Sequence, residues 1–212
     1  MRLEEELLKK KSAFLGQSMN KIRECEDAGT LLGLEGEAAS VYFSAFDELI
    51  LQQKEDFYFH GRNKRPPLDN VNAMLSFGYS LLAGMCGGAL EAVGLDPYVG
   101  FFHTDRPGRM SLALDLMEEF RSVMVDRFVL TLINKRIMKP EYFLTKENGA
   151  VIMTEEGRKA FLSAWQGKKQ EMITHPFFGE KIEWGMVPYA QSMLLARFLR
   201  GDLDEYPPFL WK

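Results

Sequence analysis

Apolar positions along this chain recur mostly at helical spacing. Leu3, Leu7, Leu8, Phe14, Leu15, Met19 and Ile22 recur at helical spacing, which places them on one face of an opening amphipathic helix. Asp27-Ala28-Gly29-Thr30 breaks that pattern. A second helix is expected over Leu31 to Gln53, with Ala38, Tyr42, Ala45, Phe46 and Leu49 on its buried face and Glu35 in its first turn or two. Phe57 to Pro67 reads as a loop rich in aromatic and basic residues, closed by Pro66-Pro67, and Asp69 is placed to cap a third helix.

That third helix contains Val71 to Leu90, a run without a charged residue and about as long as a bilayer span. Gly78, Gly84, Gly87 and Gly88, with Asn72, Ser76 and Ser80, make it less apolar than a typical span. It is read as a buried central helix, with no membrane as partner. Gly94 should end it and Asp96-Pro97 turn the chain, after which Ser111 can cap a helix reaching about Lys135. Asn148-Gly149, between Phe143 to Thr145 and Val151 to Met153, is a hairpin signal. Helices are expected again from Thr154-Glu155-Glu156 and over Val187 to Arg200. The expected fold is therefore mainly α, a multi-helix domain with a small β-hairpin near residues 143–153. Residues 1–30 form a linker helix to a domain over 31–212.

Composition narrows the picture. With 212 residues, 46% of them hydrophobic, the chain can bury a sizeable core. A net charge of −4 argues against a generic polycation, so any nucleic-acid contact must rest on local patches. Met1 to Lys11 has no secretory signature, and Cys25 and Cys86 stand far apart. Both are read as reduced thiols, and the location as cytoplasmic.

The candidate chemistry is acidic. Asp115 and Glu118, three apart on an expected helix, project from one face within reach of one ion, although Glu119 beside them looks like ordinary surface charge. His103 ends an apolar segment a short loop earlier, where it could meet the carboxylates. Glu35 sits in Leu34-Glu35-Gly36-Glu37; a glycine there costs about 1 kcal/mol of helix stability and suggests a close approach to the backbone. One imidazole with two or three carboxylates suits Mg²⁺ or Mn²⁺ better than zinc. Two basic loop segments, Arg62-Asn63-Lys64-Arg65 and Arg106 to Arg109, suit phosphate contacts, with Arg62, Lys64, Arg65, Arg106 and Arg109 expected along one groove leading to His103. His60 and His175 read as loop residues.

Leu31-Leu32-Gly33-Leu34-Glu35-Gly36-Glu37-Ala38-Ala39 with Tyr42-Phe43, then Arg65-Pro66-Pro67-Leu68-Asp69-Asn70-Val71-Asn72-Ala73-Met74-Leu75-Ser76-Phe77-Gly78-Tyr79, then His103 to Arg121, resemble in order and spacing the motifs of the Cas one family of CRISPR spacer-acquisition integrases. The resemblance covers about Thr30 to Lys135, and its wording is most similar to the type I systems. It implies a helical catalytic domain in which Glu35, His103 and Glu118 hold the metal with Asp115 beside them. It also implies phosphodiester cleavage and strand transfer on DNA, a homodimer in the full-length family, and a small partner protein, Cas two. The family's N-terminal β-rich domain is not visible here, so the chain is expected to start at the linker. Three functions are compatible with these residues. One is a metal-dependent DNA endonuclease and integrase; another is a non-catalytic DNA-binding or scaffold fragment with a structural ion; the third is a metal hydrolase of small phosphorylated substrates.

Overall fold

A computed structural model describes residues 2–104 and 106–211, so Asp105 of the basic loop lies outside the described residues. The chain is mainly helical. Among the described residues seven α-helices run Arg2–Arg23 (α1), Ala28–Ser44 (α2), Asn70–Ala92 (α3), Ser111–Glu118 (α4), Arg127–Asn134 (α5), Glu155–Gln170 (α6) and Val187–Leu199 (α7).

Asp27 does more than interrupt the first helix. Its Oδ2 accepts from the Thr30 amide at 2.7 Å and the Thr30 hydroxyl at 2.8 Å, so Ala28-Gly29-Thr30 is the first turn of α2 and the break is shorter than expected. Glu35 therefore lies at the end of the second turn. The same helix stops at Ser44 rather than Gln53. Beyond it the chain makes a short 3-10 turn over Asp47–Leu49 and then runs irregularly, with Phe46, Ile50 and Phe57 fully buried.

Helix α3 is the axis of the fold. Asp69 caps it, its Oδ1 accepting from the Asn72 amide at 2.7 Å, and Gly94 closes it in the left-handed region at φ +82°. Val71, Met74, Leu75, Leu82 and Leu90 are fully buried, each worth about 1.5–3 kcal/mol of transfer free energy. Among the described residues α3 is the one helix long and apolar enough to cross a membrane; here α4, α7, α5 and the second hairpin strand pack around it. Gly78 allows the closest approach, since a Cβ there would stand 2.7 Å from Val125 Cγ1.

The long helix expected from Ser111 to Lys135 is three pieces. Arg121–Asp126 forms a π-helical stretch between α4 and α5, and a π-bulge adds a residue to a turn, rotating the rest of the helix by about 100°. Ser111 does not cap it. Met110 holds the N-cap position, and the Ser111 hydroxyl donates to the Thr104 carbonyl at 3.3 Å.

Two hairpins lie beside the helices. Phe143–Thr145 (β1) pairs antiparallel with Val151–Met153 (β2) across Asn148-Gly149, where Gly149 takes φ +78°, as the sequence indicates. Met172–Thr174 (β3) and Lys181–Glu183 (β4) form a second one that the periodicity does not predict. Thr154 caps α6, its Oγ1 accepting from the Gly157 amide at 3.0 Å.

Candidate active site

The site lies where α2, the 60–65 loop, α4 and the π stretch meet. A cavity of about 760 Å³ is lined by Glu35 and Gly36 of α2, by His60, Arg62 and Lys64 of the loop, and by Arg121. A Cβ added to Gly36 would meet nothing within 4 Å. No protein atom crowds that glycine, then; it opens onto the cavity.

Arg121 is the centre of this arrangement, a role that the sequence does not reveal. Its Nη1 donates to both oxygens of Glu118, at 2.8 and 2.7 Å. Its guanidinium lies 4.7 Å from the Tyr79 ring centroid, with Arg62 at 5.3 Å from the same ring. Beneath them Tyr79 and Tyr42, the latter at 2.9 Å, donate their hydroxyls to the buried Asp126 carboxylate. Burial pushes the Asp126 pKa up, against the two tyrosines and the arginines that lower it. Burial opposes the Arg121 charge too, but Glu118 and Tyr79 hold its pKa above the ordinary arginine value. The one signal in the chain is the i,i+3 spacing of Glu118 and Arg121.

One turn before Glu118, Asp115 is fully engaged. Its Oδ2 accepts from the amides of Phe101 at 2.6 Å and Phe102 at 3.0 Å, and its Oδ1 from the His103 amide at 2.9 Å. His103 Nδ1 lies 2.7 Å from the same Oδ1. Burial would raise the Asp115 pKa, but these donors outweigh it and the net shift is downward. A carboxylate so committed orients the imidazole rather than binding an ion itself, and Nε2 is the ring nitrogen left for a ligand. Gly100 is required here: a Cβ would stand 2.7 Å from Ser111 Cβ and 2.9 Å from Asp115 Oδ2.

The expected ligands Glu35, His103 and Glu118 thus occupy the cavity wall, the Asp115 anchor and the Arg121 clamp respectively. Among the described residues no three Asp, Glu, His or Cys side chains stand close enough together to hold a metal ion. The donor types suit Mg²⁺ or Mn²⁺. What stands in the Glu118 chelating position is Arg121.

The basic residues divide. Lys64 is exposed; partial burial and then the charges of Arg121 and Arg62 lower its pKa. Arg65 is exposed beside it. Arg62 is not an open phosphate contact, because its Nη1 donates to Asn72 Oδ1 at 2.5 Å and the Asn63 carbonyl at 2.7 Å, and its Nη2 to Ser76 at 3.1 Å. Arg106 and Arg109 do not line this cavity; they belong to the loop after His103.

Two other side chains differ from expectation. Glu119 is not surface charge: it accepts from Tyr206 Oη at 2.6 Å, the Phe209 amide at 2.7 Å and Gln191 Nε2 at 3.0 Å. His175 is in a loop but only 1% exposed, its ring 4.5 Å from that of Phe178 and 5.5 Å from that of Phe209. His60 is exposed and stacks on Tyr58.

Residues 1–167 match the family model described as CRISPR associated protein Cas1. The chain belongs to the Cas1 family. A CRISPR-associated endonuclease Cas1 of Rhodospirillum rubrum is 57% identical over 187 residues, covering 88% of this chain and 54% of that protein. A Cas1 endonuclease of Chlorobaculum tepidum is 50% identical over 98% of this chain and 60% of its own length. Among solved structures, a casposase bound to integration product superposes with TM-score 0.79 at 29% identity, over 89% of this chain and 52% of that one. This Cas1-family chain thus spans a little over half the length of these relatives.

Proposed function

We propose that the chain carries the catalytic site of a metal-dependent DNA endonuclease and integrase of CRISPR spacer acquisition. The observation that carries this reading is the fixing of His103 by Asp115, one helical turn before Glu118, whose partner Arg121 lines a basic-walled cavity together with Glu35. Membership of the Cas1 family and the likeness to a casposase bound to integration product support it.

Glu35, His103 through Nε2, and Glu118 would hold Mg²⁺ or Mn²⁺. When bound, the ion supplies Lewis-acid polarisation of the scissile phosphate and activates the attacking hydroxyl, of water or of a DNA 3′ end. The chain's own residues position the strand. Lys64 in the cavity wall and Arg65 beside it in sequence face solvent and suit backbone phosphates, contacts that fix register without reading bases. Arg106 and Arg109 extend the phosphate track beyond His103. The homodimer and the Cas two partner belong to the same proposal, and light scattering of this chain with and without that partner tests them.

The direct test is cleavage of branched DNA with and without Mn²⁺ by the wild type and Glu118→Ala. Metal-dependent cleavage lost in the variant, with an unchanged melting temperature, is the expected result. DNA binding without cleavage in the wild type would favour a scaffold with a structural ion. Turnover of a small phosphomonoester but not DNA would favour the third reading.

A further inference from the structure

We propose that Arg121 is an internal cation resident on Glu118, which a divalent ion must displace, and that the released guanidinium then binds a phosphate of the DNA strand. The inference rests on the metal-site reading of Glu118.

Three observations carry it. First, a single nitrogen, Nη1, stands 2.8 and 2.7 Å from the two Glu118 oxygens. That is the notch between the oxygens, where a cation chelated by both would sit. Mg²⁺ would need oxygens at about 2.0–2.2 Å, so ion and guanidinium cannot share it. An arginine does not lose its proton to make room; it has to move.

Second, the arginine is mounted so that it can. Its other neighbour is Tyr79, whose ring centroid lies 4.7 Å away and whose side chain also hydrogen-bonds it; the cation–π part of that contact persists as the guanidinium pivots across the ring. The ring itself is fixed, because its hydroxyl and that of Tyr42 are both held by Asp126. Platform and Glu118 stay in place while the guanidinium exchanges partners.

Third, the direction of release is set by the surroundings. Arg121 lines the cavity together with Arg62, Lys64 and Glu35. On Glu118 its charge is neutralised. Once displaced, it adds a further positive charge to a wall that is already cationic, and a bidentate phosphate contact is the partner its planar fork matches. Ion binding and DNA binding are then coupled, and by linkage each strengthens the other by the same factor.

The test uses the full chain with Mn²⁺ or Mg²⁺ alone and then with a phosphorothioate, uncleavable DNA branch. Free Mn²⁺ is read by electron paramagnetic resonance. We expect Arg121→Met to bind Mn²⁺ at least tenfold more tightly than wild type, and DNA to tighten Mn²⁺ several-fold in wild type but not in Arg121→Met. Because Met could disturb packing on Tyr79, a second measurement uses the unaltered arginine. In wild type the Arg121 side-chain Nε–H resonance should shift with Mg²⁺ along the binding isotherm and shift again with DNA; in Glu118→Gln the Mg²⁺ step should vanish. An Arg121 resonance that stays still while Mg²⁺ binds overturns the proposal, as does unchanged or weaker Mn²⁺ binding in a folded Arg121→Met. If wild type shows no Mn²⁺ site that Glu118→Gln removes, the metal-site reading itself has failed, and the displacement with it.

Discussion

Glu119→Ala should destabilise the protein without disabling its chemistry, while Glu118→Ala should do the reverse. The neighbours are about 100° apart on the helix and hold different things. Glu119 accepts three hydrogen bonds, two of them from the segment that follows α7: the Tyr206 hydroxyl and the Phe209 amide. Gln191 keeps the Pro207 carbonyl at 3.1 Å and Tyr206 at 2.8 Å when Glu119 is gone, but the Phe209 amide and Tyr206 lose their acceptor. An unsatisfied buried donor costs about 1–3 kcal/mol, so the two together cost roughly 2–6. Burial raises the Glu119 pKa against its three donors, so removing the carboxylate also relieves some desolvation. The expected net loss is therefore about 2–4 kcal/mol, a large part of a typical total of about 5–15.

Urea unfolding followed by tryptophan fluorescence reads this loss well. Trp184 and Trp211 lie 5.3 Å apart in the cluster that Phe209 joins. Hydrogen exchange should quicken over residues 200–211, Glu119→Gln should recover part of the loss, and Mn²⁺-dependent cleavage per folded molecule should match wild type. A Glu119→Ala protein as stable as wild type would show that the carboxylate does not anchor this segment. One that is stable but inactive would move Glu119 into the catalytic machinery.

Two further outcomes are expected. Asp115→Asn replaces an acceptor of four contacts by a group that turns an N–H toward donors, so Mn²⁺ affinity should fall about 10- to 100-fold, and amide exchange over 100–104 should rise with little change in melting; calorimetry giving wild-type affinity would refute the anchoring role. His175 is buried and its pKa is lowered by that burial, so below about pH 6.5 the unfolded chain takes up a proton that the folded one resists, and stability falls as pH drops. His175→Phe should flatten this loss between about pH 6.5 and 5 in thermal melts, whereas Glu119, with its raised pKa, contributes the opposite slope in both proteins. An identical slope in the two would exclude His175 as its source.

The features legible from the chain are those that a few neighbouring residues decide. Asp69 caps α3 through an amide three residues away, Gly94 ends that helix because it can take φ +82°, and Asn148-Gly149 turns β1 into β2. The charge-free run had to be buried, since the rest of the chain supplies the helices that cover it. β3 and β4 are not legible because three residues each, joined through His175 to Glu180, show too short an alternation to separate from loop. The π stretch is hidden for another reason. Its cause is tertiary: Gly78 against Val125, and Asp126 between Tyr42 and Tyr79, contacts between residues up to 84 apart.

The candidate site shows the same division at finer scale. Spacing could say that Asp115 and Glu118 share a face, but not that one of them is consumed by three amides and an imidazole while the other holds a single guanidinium nitrogen. That difference assigns their work. A carboxylate with four donors gains little from an ion and loses much by releasing them, so Asp115 stays a positioning residue. A carboxylate whose partner is a guanidinium on an aromatic face is the one that, on the displacement proposed, exchanges it for an ion. Glu119, adjacent in sequence, has three donors and no cation, and the same reasoning makes it structural. The number and kind of donors around each oxygen, rather than the presence of an acidic side chain, separates three neighbouring carboxylates into an anchor for His103, the proposed ligand and a clasp for the segment after α7.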